Sequence, residues 1–287
     1  MNQGRYGSGV DWKLADRTLD LAGPIGAGIV NVTTDSMFAG ARSGTPEQAV
    51  EDGLALAAAG FEMLDVGAVA AKSGPPVGVE EEAAALVPAV AGLAERAAVP
   101  VSADTFSPQV AERALAAGAA VVNDISGGSE EMFELVGERG CGYVLMHIEG
   151  APRVDRDWRS YDDVVDHLLA WFEARVELAE EHGVAREQIA IDPGLDFDLS
   201  PEQDLEILRR LGELRALELP LYVSLSRKDF IGAVLAGSWE ERWPAERREW
   251  GTVAAVTLAV RAGADVLRIH DRTSLQAMKV AGLIVHG

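Results

Sequence analysis

A chain of 287 residues, 48% of them hydrophobic, is long and apolar enough to bury one sizeable core, which excludes a disordered protein and makes a single domain the expectation. The formal charge of −21 excludes nucleic acid or an anionic membrane as partner, since both require a basic surface, although a local cluster of cations can still hold a small anion. The lone cysteine, Cys141, excludes an internal disulfide and points to a reducing cytoplasm. The start, MNQGRYGSGVDWK, lacks the order of a signal peptide, and the apolar run 251–269 is broken by Arg261 and Asp265, so no membrane span is expected.

Residues 1–27 stand apart: a polar start, then WKLADRTLDL with partial alternation, then Gly and Pro, which predict a short strand or hairpin closing the floor of the domain. From residue 28 onward the chain repeats one unit. The run 28–33 predicts the first strand, and PEQAVEDGLALAAAG its helix, capped by Thr45 before Pro46 and stopped by Gly60. MLDVG (63–67) is the second strand, followed by a helix over 79–96. VPVSADT is the third, and Ser107 caps PQVAERALAAG, which ends at Gly118. VVNDIS precedes EEMFELVGERG, and GYVLMH precedes the long helix DDVVDHLLAWFEARVELAEEHG. IAIDPG is the sixth strand, with Ser200 and Pro201 opening PEQDLEILRRLGEL. LYVSLS is the seventh, with helices after it to about residue 262, and VLRIHD the eighth, ahead of SLQAMKVAGLIV. Eight strand-then-helix units predict parallel strands covered on both faces, and closure into a (β/α)₈ TIM barrel removes both sheet edges.

Polar residues end strand after strand, where a barrel of this kind places its chemistry. Taken singly they have plain explanations: Asp192 as a turn former before Pro-Gly, Asp104 as a loop residue, Asp124 as a cap and His147 as a buried, satisfied histidine. Together, Asp104, Asn123, Asp192 and Lys228 converge on the barrel mouth from four strands. Two carboxylates, a carboxamide and an ammonium suit a flat heterocycle with several N–H groups and a ring carbonyl, held by its edge. Arg268 and His270 lie two apart on the eighth strand and so share a side, and Asn31 comes from the first strand, its neighbour once the barrel closes. These three predict an anion pocket, and Asn31 can share a Mg²⁺ with a diphosphate, since this metal takes few protein ligands beside phosphate oxygens. No His/Cys cluster with zinc spacing is present.

The ordered stretches NVTTDSM (31–37), DVG (65–67), ADTFSPQVAERALAAGA (103–119), VNDISGG (122–128), MH (146–147), DPGLDF (192–197), SRKDFIG (226–232), GT (251–252) and RIHD (268–271) resemble the dihydropteroate synthase family from about Asp20 to the C-terminus. The resemblance implies a cytoplasmic folate-biosynthesis transferase, usually a homodimer, that joins a pterin-methyl diphosphate to 4-aminobenzoate and releases pyrophosphate. It implies pterin binding by Asp104, Asn123, Asp192 and Lys228, with Met146 and Phe197 packed nearby and Asp104, Asp192 and Lys228 serving catalysis. It also implies that Asn31, Arg268 and His270 hold the diphosphate with Mg²⁺.

The second-substrate region, Asp35, Lys72 and Asp229, departs from the family pattern. Where members carry Glu-Ser-Thr-Arg-Pro-Gly after the second strand, this chain has Val69-Ala70-Ala71-Lys72-Ser73-Gly74. The first loop has Met37, beside Phe38, at the family's aromatic position, and Asp229 stands where a serine contacts the aminobenzoate carboxylate. A bare Asp229 about 4 Å from that carboxylate would repel it by about 4 kcal/mol at an effective dielectric near 20. In these features the chain resembles the divergent second paralogue of actinobacteria. This leaves an alternative: a pterin-binding protein that uses another nucleophile, or that binds without turnover.

Overall fold

The computed structural model describes residues 11–32, 43–72, 74, 76–154 and 157–286. A short antiparallel hairpin, β1 (Trp12–Lys13) with β2 (Thr18–Leu19), comes first. The barrel strands follow as β3 (Ile25–Asn31), β4 (Met63–Gly67), β5 (Val101–Asp104), β6 (Val121–Asp124), β7 (Gly142–Met146), β8 (Ile189–Asp192), β9 (Tyr222–Ser224) and β10 (Val266–Ile269). They pair in parallel in the order β8-β7-β6-β5-β4-β3-β10-β9, and a parallel bridge between Ile191 and Leu221 joins the two ends of that row. The sheet is therefore the expected eight-stranded TIM barrel.

Helices α1 (Pro46–Ala58), α2 (Val79–Arg96), α3 (Pro108–Ala116), α4 (Glu130–Arg139) and α5 (Val164–Glu181) alternate with the strands and cover the outside. They are followed by α6 (Pro201–Arg210), α7 (Asp229–Ala236), α8 (Glu249–Arg261) and α9 (Arg272–His286). Three starts use the expected device, a hydroxyl cap followed by proline, because the first-turn amides lack partners within the helix. Thr45, Ser107 and Ser200 accept from the amides of Gln48, Val110 and Gln203.

Two boundaries differ from the expectation. The first strand begins at Ile25, three residues earlier than its glycines suggest. Gly26 and Gly28 are not turn residues there: a Cβ on Gly26 would lie 2.7 Å from Leu275 Cδ1 of α9, and one on Gly28 3.1 Å from the Phe61 ring. The glycines let the outer layer press onto the strand. Conversely, strands predicted to run through Thr105, Ser126, His147 and Gly194 stop one to two residues short, because those residues already turn toward the helices.

The hairpin does close the floor. Trp12, Leu14 and Leu21 are buried against Ala27, Met63, Val121, Val144, Ala190, Tyr222 and Val266 from the barrel strands. The Trp12 indole meets Tyr222 edge-on at 6.5 Å and donates to the Gln188 carbonyl at 2.7 Å. Trp12→Ala should therefore cost about 3–5 kcal/mol, the usual penalty for emptying a buried aromatic site. Denaturant unfolding checks this; a loss below about 1 kcal/mol, within the range of ordinary surface substitutions, would show that the hairpin does not seal the barrel.

Candidate active site

Strand register brings the polar ends to one level. Asn31 pairs with Gly67, Gly67 with Asp104, and Asp104 with Asn123. On the far side Met146 of β7 pairs with Asp192 of β8. Side chains from these positions enclose a cavity of about 310 Å³ at the C-terminal end of the barrel. Asn31, Lys72, Asp104, Asn123, Met146 and Asp192 line it, together with Phe197, Lys228, Asp229, Arg268 and His270. Every candidate from the sequence is thus in one place except Asp35, which lies outside the described residues, as do Met37, Phe38 and Ser73. A larger groove of about 800 Å³ runs over α6, α7 and α8, but it is mostly apolar, and its Arg210 is paired with Asp163 and Glu213. Size alone does not locate the chemistry.

Local turns aim the key groups. Asp192 accepts the Gly194 amide through Oδ1 at 2.9 Å, so its turn-forming role is real and coexists with its place in the cavity. Gly194 has φ 69°, and a Cβ there would lie 2.1 Å from the His147 carbonyl oxygen, so the tight turn admits only glycine. Arg227 takes the left-handed conformation, φ 58°, which turns the chain so that Lys228 faces inward. Its guanidinium is fixed outside by the Ala245 carbonyl and Asp271. Lys228 Nζ donates to the Leu195 carbonyl at 3.1 Å and lies 4.5 Å from the centre of the Phe197 ring. Asp124, next to Asn123, is the structural residue its plain reading suggested: it accepts from the Ser126 amide and the Tyr143 hydroxyl at 2.7 Å each.

Charge is concentrated in this apolar surround. Arg268 Nε donates to Asp65 at 2.5 Å and Nη2 to Asp104 at 2.6 Å, while Asn123 Nδ2 donates to the same Asp65 oxygen at 3.1 Å. Asp65 is fully buried and was not singled out from the sequence. The available signal was a carboxylate in the middle of MLDVG, between apolar neighbours, opposite an arginine that needs a partner. Burial pushes the Asp192 carboxyl up to about 6 and lowers the Lys228 ammonium to about 8. Burial also raises Asp104, against the pull of Arg268. For His270, burial and then Arg268 bring the imidazole down to about 3, and its Nδ1 contacts the Ser226 hydroxyl at 2.9 Å. The expectation that His270 supplies positive charge is therefore corrected: near neutral pH it offers hydrogen bonds, and Arg268 already serves two carboxylates.

The bare charge expected at Asp229 is also corrected. Asp229 contacts Arg248 at 2.7 Å, Lys72 at 3.2 Å and Arg242 at 3.4 Å. Burial raises its carboxyl, but Lys72 and Arg248 outweigh that and hold it at about 2. Lys72 also pairs with Asp196, a second residue missed in the sequence, which accepts the amides of Asp229 at 2.7 Å and Phe230 at 3.1 Å at the start of α7. Three cations against two carboxylates leave this rim positive by one charge, so an incoming carboxylate meets attraction rather than the like-charge clash.

Comparison with known proteins agrees with this geometry. Residues 27–270 match the pterin-binding enzyme family. The dihydropteroate synthase of Synechocystis is 36% identical over 258 residues, covering 88% of each chain. That of Mycobacterium leprae is 38% identical over 265 residues, covering 90% of this chain and 93% of its own. The structure of the Xanthomonas albilineans dihydropteroate synthase in complex with 7,8-dihydropteroate superposes with a TM-score of 0.80 at 35% identity, covering 95% of this chain and 98% of its own. With the barrel, the converging cavity and these matches together, the chain belongs to the dihydropteroate synthase family of pterin-binding enzymes.

Proposed function

We propose that this barrel joins a pterin-methyl diphosphate to 4-aminobenzoate with release of pyrophosphate, as in folate biosynthesis. The carrying observation is that the acceptors and donors for a heterocycle, the polar groups for an anion and a net-positive rim all line one cavity. The relatives' shared name favours turnover over ligand storage.

In this reading Asp192 and Asn123 take the amino-imino edge of the pterin, and Lys228 donates to its ring oxygen or nitrogen. Met146, Ile125 and Phe197 pack on its faces, Phe197 steadied by the ammonium of Lys228. The diphosphate lies toward Asn31, His270 and Arg268. Asn31 contributes a hard, neutral oxygen of the kind Mg²⁺ accepts, and the residues fit that ion provided the diphosphate supplies the negative charge. When bound there, Mg²⁺ neutralises charge that develops on the leaving group. The C–O bond to diphosphate breaks with its electron pair leaving on oxygen, and the methylene carbon becomes cation-like. Three cavity carboxylates, Asp65, Asp104 and Asp192, against two cations, Arg268 and Lys228, favour that positive charge. The amine of 4-aminobenzoate forms the new C–N bond and then loses a proton to water. Lys72 and Arg242, on the rim, receive its carboxylate.

We place the protein in the cytoplasm as a homodimer. No helix among the described residues is long and apolar enough to cross a membrane, and the single thiol, Cys141, is buried and free, as suits a reducing compartment. The apolar side chains left exposed on α7, α8 and α9, among them Val234, Leu258, Leu283 and Ile284, support a partner copy on that wall.

A pyrophosphate-release assay tests the reading: release should require both the pterin diphosphate and 4-aminobenzoate. Lys72→Ala should raise KM for 4-aminobenzoate about 10-fold, the loss of one charge-assisted hydrogen bond, without changing pterin affinity. Release that ignores 4-aminobenzoate would contradict the assignment, and an unchanged KM would remove Lys72 from the rim. Binding of a diphosphate-free pterin, followed by calorimetry, should be strongest between about pH 6 and pH 8. Below about 6 Asp192 gains a proton and stops accepting, and above about 8 Lys228 loses the proton it donates. Asp192→Asn should abolish the acid limb; a flat profile in the unmodified protein would contradict these two roles.

A further inference from the structure

Outside the cavity, three side chains with no part in the reaction converge where β7 ends and α5 begins. Met146 faces the cavity, and the next residue, His147, points the other way, against His167, Trp171 and Phe172 of α5. Nε2 of His147 lies 3.4 Å from Nε2 of His167. The Glu149 carboxylate lies 2.9 Å from the His167 Nε2 and 4.0 Å from the His147 Nε2. Among the described residues this is the one group in which three ligating side chains can reach a common ion. The sequence hid it, because 18 residues separate Glu149 from His167 and no zinc-type spacing results.

A shared proton accounts poorly for two imidazole nitrogens at 3.4 Å, beyond the usual hydrogen-bond range. Bonds of about 2.0–2.1 Å to a tetrahedral zinc ion, by contrast, set neighbouring nitrogens about 3.3 Å apart. The rings are fixed by packing: Trp171 meets His147 edge-on at 4.9 Å, and Tyr161 lies over His167 at 4.3 Å. Nδ1 of His147 is buried without a hydrogen-bond partner, so the polar contacts of that ring are all on the Nε2 side. Side-chain exposures of 26% for Glu149 and 30% for His167 give an ion a route in from solvent.

We propose that His147, His167 and Glu149 form a binding site for a zinc-class divalent ion, with water in the fourth position. Two imidazoles and one carboxylate match the donors zinc accepts when one position stays open, and nitrogen donors disfavour Mg²⁺ or Ca²⁺. The site is separate from the diphosphate pocket. Its ion fastens the segment after β7 to α5. The same segment carries Arg153, which donates to the Ala70 carbonyl at 2.5 Å on the cavity rim, so the ion braces that rim from behind.

The test uses the full-length chain without an affinity tag. Zn²⁺ is titrated by calorimetry, and Co²⁺ is followed by the visible absorption that a tetrahedral site produces. The unmodified protein should take up one equivalent of each per chain, with a rise in Tm. His167→Ala and Glu149→Gln should each weaken binding at least 10–100-fold, roughly the cost of losing even an outer partner of a metal ligand. Both positions are part-exposed, so metal-free far-UV dichroism and Tm should stay near those of the unmodified protein; if His167→Ala unfolds, Glu149→Gln gives the same reading. No saturable uptake, or uptake of equal affinity in the variants, would overturn the site.

Discussion

The guanidinium of Arg268, held inside the barrel between Asp65 and Asp104, is the interaction on which the rest of the site depends. Asp65 is fully buried, and an unpaired carboxylate there would carry a desolvation penalty of several kcal/mol. Arg268 answers that charge, and through its second nitrogen it also fixes where Asp104 points. Asn123 donates to the same Asp65 oxygen, so three strands, β4, β5 and β6, have their mouth residues tied to one cation from β10. The same cation helps keep His270 uncharged. The cavity is thus organised before any ligand arrives, which lowers the ordering cost of binding.

A second network sets the rim. Asp196 accepts the first amides of α7, which have no partners within the helix, and pairs with Lys72 from the segment after β4. Asp204 supports it by accepting the Asp196 amide at 2.9 Å, and burial followed by the nearby Asp196 raises the Asp204 carboxyl far enough to keep it neutral. Lys228 stands at the head of α7, between the two networks, facing Asp192 on one side and Phe197 on the other. The heterocycle pocket and the rim therefore share one helix start. A change at Asp196 should disturb both, whereas a change at Lys72 acts on the rim alone.

The barrel was legible in the sequence because strand-then-helix punctuation repeats eight times, and the residues at the strand ends were legible because polar groups there break otherwise apolar runs. What escaped was partnership. Asp65 lies within an apolar strand, and nothing local says that Arg268, 203 positions later, needs it. Asp229 read as a lone negative charge because the arginines that answer it, Arg242 and Arg248, come from a stretch without a motif. The glycines of β3 looked like a turn, since the close approach of Leu275 and Phe61 is a tertiary fact. His147 was read as a satisfied core residue, and its neighbours became visible only when α5 was placed beside β7.

The claim that Arg268 stabilises two buried carboxylates is tested most directly by unfolding Arg268→Met at several pH values. Without the cation, the carboxyls of Asp65 and Asp104 should have folded-state pKa values well above the ordinary value near 4 that they take in the unfolded chain. For groups raised in this way, the folded state binds more protons, so the variant is relatively most stable at low pH and loses stability as pH rises through the folded values. The account predicts a deficit of about 3–5 kcal/mol against the unmodified protein at pH 8, shrinking toward pH 5 as the carboxyls take up protons. A deficit that stays the same across that range, or no deficit at all, would show that Arg268 is not the cation that keeps this site folded.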